Sequence, residues 1–300
     1  MEVTECPICN LGSLAFFSKK DGYVFSKCGS CSLVLMNPLP STKELIDNVY
    51  SKESGYHAKL VKNLEEVKKY NKKFTKIIDA LNRLGVAGSL LDVGCANGEF
   101  LFLAKKNGFD VYGVEANAYT ASITANNGLP VFCGTLEQKN FNNNSFSVIY
   151  LGDIIEHVTD PVALLKECKR ILKKGGVIVI STPNTDCFWV KATGRICHWL
   201  GFPWSVLLPP YHVYLFSEDN LKKLLGILDF NVLEIQYASA SLRHELGGTG
   251  LLPKLKREKS IATALYTISV FFVYAAVYVT SFLVKPFSKK NFEMVVFAKT

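Results

Sequence analysis

A turn of small residues flanked by two acids is the part of the sequence best suited to hold a ligand. The stretch LDVGCANGEF has Gly94, Ala96 and Gly98 at alternate positions between an apolar run and a helical pattern. Small side chains there let the backbone approach a ligand closely, with a helix N-terminus behind it. Asp92 precedes this turn, and Glu115 closes the next apolar run, in VYGVEAN. A carboxylate about twenty residues beyond such a turn is suited to two ribose hydroxyls.

The spacing of the turn also limits which ligand it takes. A dinucleotide turn has the pattern G-x-G-x-x-G, whereas the pattern here is G-x-A-x-G. Asp92 would repel a pyrophosphate, but it suits a ligand that carries an ammonium group. The turn therefore predicts a nucleoside without phosphates, and it disfavours a nicotinamide oxidoreductase.

Four cysteines form a second group with ligand spacing. Cys6-x-x-Cys9 and Cys28-x-x-Cys31 match the two knuckles of a four-thiolate zinc site, in which each tight turn aims two sulfurs at one ion. All four positions are filled, so we expect structural zinc; two disulfides or four unrelated core thiols are the alternatives. The N-terminus has no secretory pattern, which predicts a reducing compartment and a cytoplasmic protein. The other thiols have no ligand spacing and are predicted to be small core residues: Cys95, Cys133, Cys168, Cys187 and Cys197.

The composition is that of a globular protein with a surplus of lysine. Hydrophobic residues make up 49% of the sequence and charged residues 20%, so we expect a substantial core, and the net charge is +8. The basic residues are mainly lysines and do not alternate with aromatic residues, so we expect no nucleic-acid partner. The most basic stretch, residues 58–85, has apolar residues at helical spacing. It is predicted to be one amphipathic helix with its lysines on the solvated face.

The elements that must position these residues alternate between strand and helix. Residues 37–41, NPLPS, are predicted to be a linker, and short β-branched runs and helical patterns follow, with a helix over Pro161–Leu172. Such alternation predicts a mostly parallel sheet covered on both faces. In such a sheet the ligand lies beyond the carboxyl ends of the strands, where the turn and Glu115 also lie. The predicted strands are Leu90–Val93, Val111–Val114, Val131–Cys133, Val148–Leu151 and Val177–Ser181.

Four motifs in fixed order give the sequence a family resemblance: LDVGCANGEF, VYGVEAN, SFSVIYLGDIIEHVTDP and GGVIVISTPN. They resemble class I S-adenosylmethionine-dependent methyltransferases, and more narrowly bacterial members that carry an N-terminal zinc ribbon and act in sugar or cell-surface glycan pathways. The resemblance implies a zinc ribbon over residues 1–41 and, over residues 42–300, a Rossmann-like seven-stranded α/β sheet with helices on both faces. Two positions depart from the family: Ala96 replaces the usual middle glycine, and Ser147 replaces an aspartate that usually opens the fourth strand.

The resemblance implies S-adenosylmethionine as the cofactor, with nine residues that bind it. These residues lie at or just after the carboxyl ends of predicted strands, and a solvated strand-end acid is the alternative for Glu115. The methionine part of the cofactor is expected beside Asp92, Gly94, Ala96 and Gly98, the ribose at Glu115, the adenine by Thr135 and Leu136, and the sulfonium over Gly152 and Asp153.

Two histidines are candidates for a catalytic base. Methyl transfer from a sulfonium is a direct displacement, and a hydroxyl or enolic carbon acceptor also has to lose a proton. His157 lies in GDIIEHVTDP, at the carboxyl end of the fourth strand, and His212 lies in PPYHVYLFSEDN, which resembles the family's substrate-side loop. For either histidine the alternative is a structural role.

The group Asp153, Glu156 and His157 has a second interpretation. In the similar ubiquinone-pathway O-methyltransferases, an acid-x-x-Glu-His group at this place binds a divalent cation, which implies a cation at these three residues here. The first acid is Asp rather than Glu, so its side chain reaches less far. Alternatively, Glu156 and His157 cap and pack a helix.

Two apolar stretches are expected to meet the acceptor or a membrane. Residues 184–210 contain all three tryptophans and are predicted to cap the acceptor pocket or to pack on the helices beneath. Residues 261–284 carry no charge and are long enough to span a bilayer, but they lie in an insertion at about 251–287 between the last two predicted strands. Basic residues on both flanks predict a helix in the cytoplasmic leaflet, near a lipid-linked acceptor. A helix buried on the domain or on a partner, and an ordinary span, are the alternatives.

The sequence favours an enzyme that transfers methyl from S-adenosylmethionine to an oxygen or carbon of a small molecule, a sugar or a lipid-linked glycan. The second interpretation is an O-methyltransferase of a quinone-like lipid, which the Asp153 group and the apolar cap over residues 184–210 support. The third is a protein that binds S-adenosylmethionine without turnover and serves as a membrane-recruitment module. The residues leave the acceptor and the oligomeric state open.

Overall fold

The computed structural model describes residues 2–42, 44–45, 63–65, 71–200, 206–238, 268, 272, 275–276, 279–280 and 291–300. The strands within them are β1 Leu14–Lys20, β2 Tyr23–Cys28, β3 Val34–Met36, β4 Ser89–Val93, β5 Asp110–Glu115, β6 Val131–Cys133, β7 Phe146–Gly152, β8 Leu172–Pro183, β9 Tyr214–Leu215, β10 Asn231–Ala238 and β11 Glu293–Lys299. The helices are α1 Lys72–Arg83, α2 Glu99–Lys106, α3 Ala118–Asn126, α4 Leu136–Lys139, α5 Pro161–Ile171, α6 Phe188–Leu200 and α7 Glu218–Ile227.

Seven strands form one sheet, in the order β10-β11-β8-β7-β4-β5-β6. The five strands from β8 to β6 are parallel, and β11 is antiparallel to both β8 and β10. Successive residues of a strand face opposite sides. Leu91 and Ile149 accordingly face an apolar layer shared with α5 and α7, whereas Leu90 and Val148 face a layer shared with α1 and α2. This arrangement confirms the predicted Rossmann-like α/β sheet with helices on both faces.

The strand order reverses at β4, which lies between β5 and β7. A ligand crevice is expected at such a point, outside the carboxyl ends of these three strands. The five predicted strands and the helix over Pro161–Leu172 are confirmed, with ends that differ by a few residues. Ser147 lies at the opposite, amino end of β7, where its amide donates to Ser89 Oγ at 3.2 Å. Its role there is structural, as expected.

The long basic helix predicted over residues 58–85 is not continuous, because the described residues 63–65 are not helical. The described helix α1 begins after Asn71, whose side chain caps it by accepting a hydrogen bond from the Lys73 amide at 3.0 Å. Before it, Leu64 is fully buried, and its amide donates to Asn127 Oδ1 at 2.9 Å. This contact with α3 holds residues 63–65 in a non-helical conformation, while residues 58–62 and 66–70 lie outside the described residues.

A second, four-stranded sheet has the order β1-β2-β3-β9. Strands β1 and β2 follow the first cysteine knuckle and β3 follows the second, whereas β9 comes from much later in the chain, after α6. The cysteine segment and the main domain share one apolar cluster, in which Cys6 and Leu35 lie with Ile155 and Tyr214. The predicted linker at residues 37–41 therefore joins two parts that are packed together.

Three of the five remaining thiols are core residues as predicted, since Cys95, Cys168 and Cys187 are buried. The prediction is wrong for Cys133, which is exposed. Cys133 is the last residue of β6, which is the edge strand of the large sheet among the described residues. The side chain of Cys197 lies outside the described residues.

The insertion predicted at about 251–287 stays a prediction, and the strands on either side of it, β10 and β11, pair antiparallel. Most of residues 261–284 lie outside the described residues. Where side chains are described, Phe272 and Val279 are 65% and 62% exposed. Among the described residues, no helix has both the length and the apolar character needed to cross a membrane.

Candidate active site

A cavity of about 520 Å³ opens at the carboxyl ends of β4, β5 and β7. The strand order reverses there, as expected for a ligand crevice. None of the side chains described between residues 184 and 200 lines it, while those of Trp189 and Trp199 lie outside the described part, so the aromatic cap stays a prediction. Eight of the nine predicted cofactor-binding residues do line it: Asp92, Gly94, Ala96, Glu115, Thr135, Leu136, Gly152 and Asp153.

Gly98 is the predicted residue that does not line the cavity. It precedes α2 with a φ of +80°, and a Cβ atom there would lie 2.7 Å from Leu129 Cδ1 and 2.9 Å from Thr124 Cγ2. The absence of a Cβ atom at this position is therefore needed for close packing of α2 on α3 rather than for contact with a ligand. Gly98 positions the turn indirectly.

Most backbone amides of the turn after β4 already donate hydrogen bonds within the protein. Gly94 and Cys95 both donate to the Val114 carbonyl, at 2.7 and 3.1 Å, and Gly98 donates to the Cys95 carbonyl at 2.9 Å. The Ala96 amide donates to Glu115 Oε2 at 2.9 Å. A phosphate-binding turn presents free amides to its ligand. With these four amides engaged, the turn is not suited to phosphate, in agreement with the sequence prediction.

Two acids are buried beside this turn. Asp92 is 3% exposed and Glu115 is 7% exposed, so Glu115 is not a solvated strand-end acid. Burial raises the pKa of Glu115, although the amides of Asn117 and Ala96 oppose the shift. Burial, followed by the charge of Glu115, raises the pKa of Asp92 well above its usual range. A cationic ligand would offset both effects, so the pair is suited to bind a cation.

Lys73 is a cavity residue that sequence reasoning missed, since it was assigned to the solvated face of a helix. Its side chain is 12% exposed, and its Nζ lies 2.8 Å from Asp153 Oδ2 and 2.5 Å from Glu293 Oε1. Burial alone would lower the pKa of Lys73, but the charge of Asp153, with Tyr150 and Glu293, raises it above its ordinary value. For Asp153 the directions are reversed: burial would raise its pKa, but the charge of Lys73 holds that pKa below its usual range. The two groups therefore form an ion pair in the cavity.

Aromatic rings from three elements form a further part of the wall. Phe74 of α1, Phe100 of α2 and Tyr150 of β7 all line the cavity. The rings of Phe100 and Tyr150 have centroids 4.3 Å apart, and those of Phe74 and Phe100 are 5.4 Å apart. Aromatic faces attract cations. Phe74 and Phe100 were visible in the sequence only as apolar helix positions.

His157 lies in the cavity wall and is 6% exposed. Its Nδ1 lies 2.5 Å from the Tyr211 carbonyl oxygen. A carbonyl only accepts hydrogen bonds, so Nδ1 carries the proton, and in the neutral ring Nε2 then has a lone pair. Burial lowers the pKa of His157, although the Tyr211 carbonyl and the charge of Asp153 oppose the shift. The neutral imidazole is therefore favoured at neutral pH, and it is a suitable proton acceptor.

His212 does not line the cavity among the described residues, and it lies behind His157 with the ring centroids 5.0 Å apart. Glu156 lies with them: it is 1% exposed, its Oε2 accepts from Thr182 Oγ1 at 2.9 Å, and its Oε1 has no partner among the described residues. Ligand atoms of these three side chains lie within 4.8 Å of one another. Asp153 is not in this group of three and is paired with Lys73, so the described geometry does not support the expected cation at Asp153, Glu156 and His157.

The four predicted zinc ligands are close together. Their Sγ atoms lie within 4.8 Å of one another, with Cys6 and Cys31 at 3.6 Å and Cys9 and Cys28 also at 3.6 Å. These distances are far too long for disulfides. A tetrahedral Zn²⁺ with Zn–S bonds of about 2.3 Å separates its sulfurs by about 3.8 Å, so the thiols fit the ion. At Gly12 a Cβ atom would overlap Cys28 Sγ, so this glycine keeps the site open.

Comparisons with known proteins agree with this fold. Residues 66–235 match a family model described as "Methyltransferase domain". A ubiquinone biosynthesis O-methyltransferase of Bradyrhizobium sp. is 29% identical over 50% of this chain and 63% of its own length. A protein of the same name from Cereibacter sphaeroides is 33% identical over 42% of this chain and 56% of its own length. The chain thus spans less than two thirds of these curated relatives.

A solved structure extends the similarity in fold. Phosphoethanolamine N-methyltransferase 2 of Haemonchus contortus, in complex with S-adenosyl-L-methionine, matches 89% of this chain and 62% of its own, with a TM-score of 0.51. Its sequence identity is 16%. The match concerns the fold, and it agrees with the strand order described above.

Proposed function

The chain belongs to the methyltransferase-domain family, and from this premise we propose that it transfers a methyl group from S-adenosylmethionine to an oxygen or carbon of a small-molecule acceptor. The observation that carries the proposal is the cavity at the carboxyl ends of β4, β5 and β7. Eight of nine residues that the family resemblance implies for the cofactor line it. The cavity has two buried acids, and the amides of its turn already donate hydrogen bonds within the protein. Both features suit a cationic nucleoside better than a phosphate.

In this proposal each part of the cavity binds one part of the cofactor. Asp92 holds the ammonium group, Glu115 accepts hydrogen bonds from the ribose hydroxyls, and Thr135 and Leu136 flank the adenine. The bound cofactor supplies an electrophilic methyl group on a sulfonium. The aromatic rings of Phe100 and Tyr150 stabilise positive charge and exclude water.

His157 acts as the base. Its neutral imidazole takes the proton of an acceptor hydroxyl, or of an enolic carbon, at Nε2, while the Tyr211 carbonyl holds the ring through Nδ1. His212 packs edge-on behind it and supports its orientation. We therefore assign catalysis to His157 and a supporting role to His212. The proposal contains no step through a divalent cation, since Asp153 is engaged by Lys73.

The wall beside His157 supports an uncharged acceptor. Lys73 is the cation of the described lining, and Asp153 and Glu293 already occupy its amine. Several carboxylates share the same cavity, so a carboxylate or phosphate near the reacting atom would be repelled. The lining around His157 combines the polar residues Thr42, Thr159 and Asp160 with small or apolar ones: Leu45, Val158, Ala163 and Leu164. A hydroxyl on a sugar or on a phenolic ring meets these conditions.

A second candidate, an O-methyltransferase of a quinone-like lipid, is favoured by a specific observation. Two of the relatives described above carry the name ubiquinone biosynthesis O-methyltransferase, at 29% and 33% identity over part of the chain. The apolar lining beside His157 suits a phenolic ring. A sugar or lipid-linked glycan acceptor rests on the ribbon-bearing bacterial members that the sequence resembles. A protein that binds the cofactor without turnover is disfavoured by the placement of the neutral His157.

The test is transfer of label. The full chain is incubated with methyl-labelled S-adenosylmethionine and with separated sugar, phenolic and lipid fractions of a cell extract. Label in the phenolic or lipid fraction supports the second candidate, and label in a sugar or glycan fraction supports the first. The His157→Asn control is expected to bind the cofactor and to transfer little or no label. Binding of the cofactor by wild type with no label in any fraction contradicts methyl transfer.

We also propose that Cys6, Cys9, Cys28 and Cys31 hold one structural zinc ion. The short S···S distances among the four thiols support it. Metal analysis is expected to find one zinc per chain in wild type and in Cys133→Ser, whose exposed thiol lies outside the group. The Cys28→Ser variant is expected to lose the metal. Zinc retained by Cys28→Ser would contradict the assignment.

Contact with a membrane surface through residues 261–284 is a further part of the proposal. Its support is the charge-free sequence between basic flanks and the exposed side chains of Phe272 and Val279. The chain is expected to float with vesicles that contain anionic lipid and to be released by salt. A chain that does not float with either anionic or neutral vesicles contradicts this contact.

A further inference from the structure

The cysteine segment is joined to the substrate side of the cavity by backbone pairing. We call residues 2–36 the cysteine arm. Its last strand, β3, pairs with β9, with Val34 opposite Leu215 and Leu35 opposite Tyr214. The Met36 amide donates to the Val213 carbonyl at 2.8 Å. The arm therefore adds its sheet directly to the segment that follows His212.

The same segment is bonded to the wall that contains His157. We call residues 157–160 and 163–164 the acceptor wall, since they line the cavity beside that base. Val213 and Tyr214 both donate their amides to the Glu156 carbonyl, at 2.8 and 3.1 Å. The Tyr214 hydroxyl donates to the Thr159 carbonyl at 2.9 Å. The β9 segment thus lies between the cysteine arm and the acceptor wall and is hydrogen-bonded to both.

Packing makes this connection rigid. Leu35 and Tyr214 are both fully buried, and they share one apolar cluster with Cys6, Cys28 and Leu164. Protein interiors are densely packed, so a displacement at one end of such a cluster is transmitted to its neighbours. Side chains of β4 and β5 belong to the same apolar cluster, but the backbone of the cofactor half is separate from the arm. Strands β4 and β5 pair with β7, β6 and each other, and no described strand of the arm pairs with them.

We infer that the cysteine arm positions the acceptor wall, and that Tyr214 is the positioning residue through which it acts on His157. The role of the wall as an acceptor site rests on the proposed function, whereas the mechanical connection does not. Loss of the four-thiolate centre, by metal removal or by thiol oxidation, loosens β3 and β9 and then the wall. Cofactor binding at the β4 turn is retained. The arm makes methyl transfer depend on an intact cysteine centre without contacting either substrate.

The first test is hydrogen exchange on the full chain without ligand. Cys28→Ser removes one thiolate, and Cys133→Ser is the matched control outside the centre. In Cys28→Ser the amides of residues 206–216 are expected to exchange about tenfold faster, while those of residues 89–115 keep their wild-type rates. Unchanged exchange over 206–216 overturns the inference. An equal loss of protection in both ranges also overturns it, because the arm would then stabilise the whole domain.

The second test leaves the cysteines in place. Tyr214→Phe removes the hydrogen bond to Thr159, and Tyr237→Phe is its control, since that hydroxyl donates to Glu218 Oε2 at 2.6 Å outside the cavity lining. The ¹⁵N resonances of the His157 ring are expected to shift in Tyr214→Phe and to stay in Tyr237→Phe. An unchanged His157 spectrum in Tyr214→Phe overturns the positioning role.

Titration with S-adenosylhomocysteine separates this inference from the proposed function. Both tyrosine variants are expected to bind it within about twofold of the wild-type affinity. A loss of affinity in Tyr214→Phe alone overturns the inference, because the arm would then act on the cofactor half. Failure of the wild type to bind contradicts the proposed function, while hydrogen exchange and the His157 spectrum still decide the role of the arm.

Discussion

Glu115 Oε2 accepts a hydrogen bond from the Ala96 amide at 2.9 Å, so the acid that ends β5 holds the turn that follows β4. Its other oxygen accepts from the Asn117 amide at 2.8 Å. Each carboxylate oxygen has two lone pairs, so Glu115 can hold the turn and still bind two hydroxyls of a ligand. Ala96 itself has a φ of +49°, a conformation that this hydrogen bond stabilises.

Replacement of Glu115 by Ala is expected to lower the affinity for S-adenosylhomocysteine by about 10- to 100-fold, or about 1–3 kcal/mol, the range for charge-assisted hydrogen bonds. The control is Asp110→Ala, which removes an exposed acid at the opposite end of the same strand. Calorimetry on the folded variants measures the effect. Equal affinities for Glu115→Ala and wild type would remove Glu115 from the binding site.

Gly94 and Gly108 both have positive φ values, +73° and +87°, but their surroundings differ. A Cβ atom at Gly94 would overlap the Ile154 side chain, whereas one at Gly108 would meet nothing within 4 Å. Gly108→Ala should cost about 1 kcal/mol for the left-handed backbone, and Gly94→Ala a further 1–3 kcal/mol for overpacking. Urea unfolding of the two variants checks this difference. Equal losses would show that the turn has more room than the structure describes.

Burial lowers the pKa of His157, and this predicts the sign of a pH effect on stability. Unfolded histidine has a pKa of about 6.5, so the unfolded chain takes up a proton there before the folded chain does. Neutral His157 therefore contributes to the free energy of unfolding above about pH 6.5. This contribution is lost as the pH falls toward the lower pKa that His157 has in the folded chain.

The measurement is the free energy of unfolding from pH 7.5 down to pH 5, in wild type and in His157→Gln. The wild type is expected to lose more stability than the variant, by at most about 1.4 kcal/mol per pH unit. The variant is the reference because the acids of the site titrate in both proteins. Parallel curves would mean that His157 titrates as it does in the unfolded chain.

Two cations of helix α1 form ion pairs in different surroundings. Lys73 pairs with Asp153 in the cavity, whereas Arg83 pairs with Glu234 at the surface, where the arginine side chain is 59% exposed. Lys73→Met leaves two carboxylates without their partner, but Asp153 is 43% exposed, so we expect a cost of about 2 kcal/mol, below the value for a fully buried pair. Arg83→Met should cost less than about 1 kcal/mol. Similar losses in thermal unfolding would contradict a structural role for the Lys73 pair.

The turn, the acids beside it and the parallel strands were predictable because their signals are local. Small residues after an apolar run mark a close approach of backbone to ligand, and Glu115 follows at a spacing that one βα unit fixes. The position of the site follows from the alternation of strands and helices. The structure adds the burial of the two acids and the hydrogen bond between Glu115 and the Ala96 amide.

The features that were missed depend on pairings across the chain. Lys73 meets Asp153, eighty residues away, so its helical spacing gave no sign that it faces the cavity. His212 lies behind His157 rather than in the wall, because the path of the chain after α6 is set by β9, which pairs with the cysteine arm. The sequence contains no local signal for either relationship. Cys133 was predicted to be buried from its residue type, while its exposure follows from the edge position of β6.

The central proposal is that S-adenosylmethionine binds in the cavity at the β4 turn. Calorimetric titration of the full chain with this cofactor tests this binding. We predict saturable binding of one molecule per chain in wild type, retained in Asp110→Ala and weakened by about 10- to 100-fold in Glu115→Ala. Absence of binding by a folded wild-type chain, or equal binding by Glu115→Ala, would contradict the account.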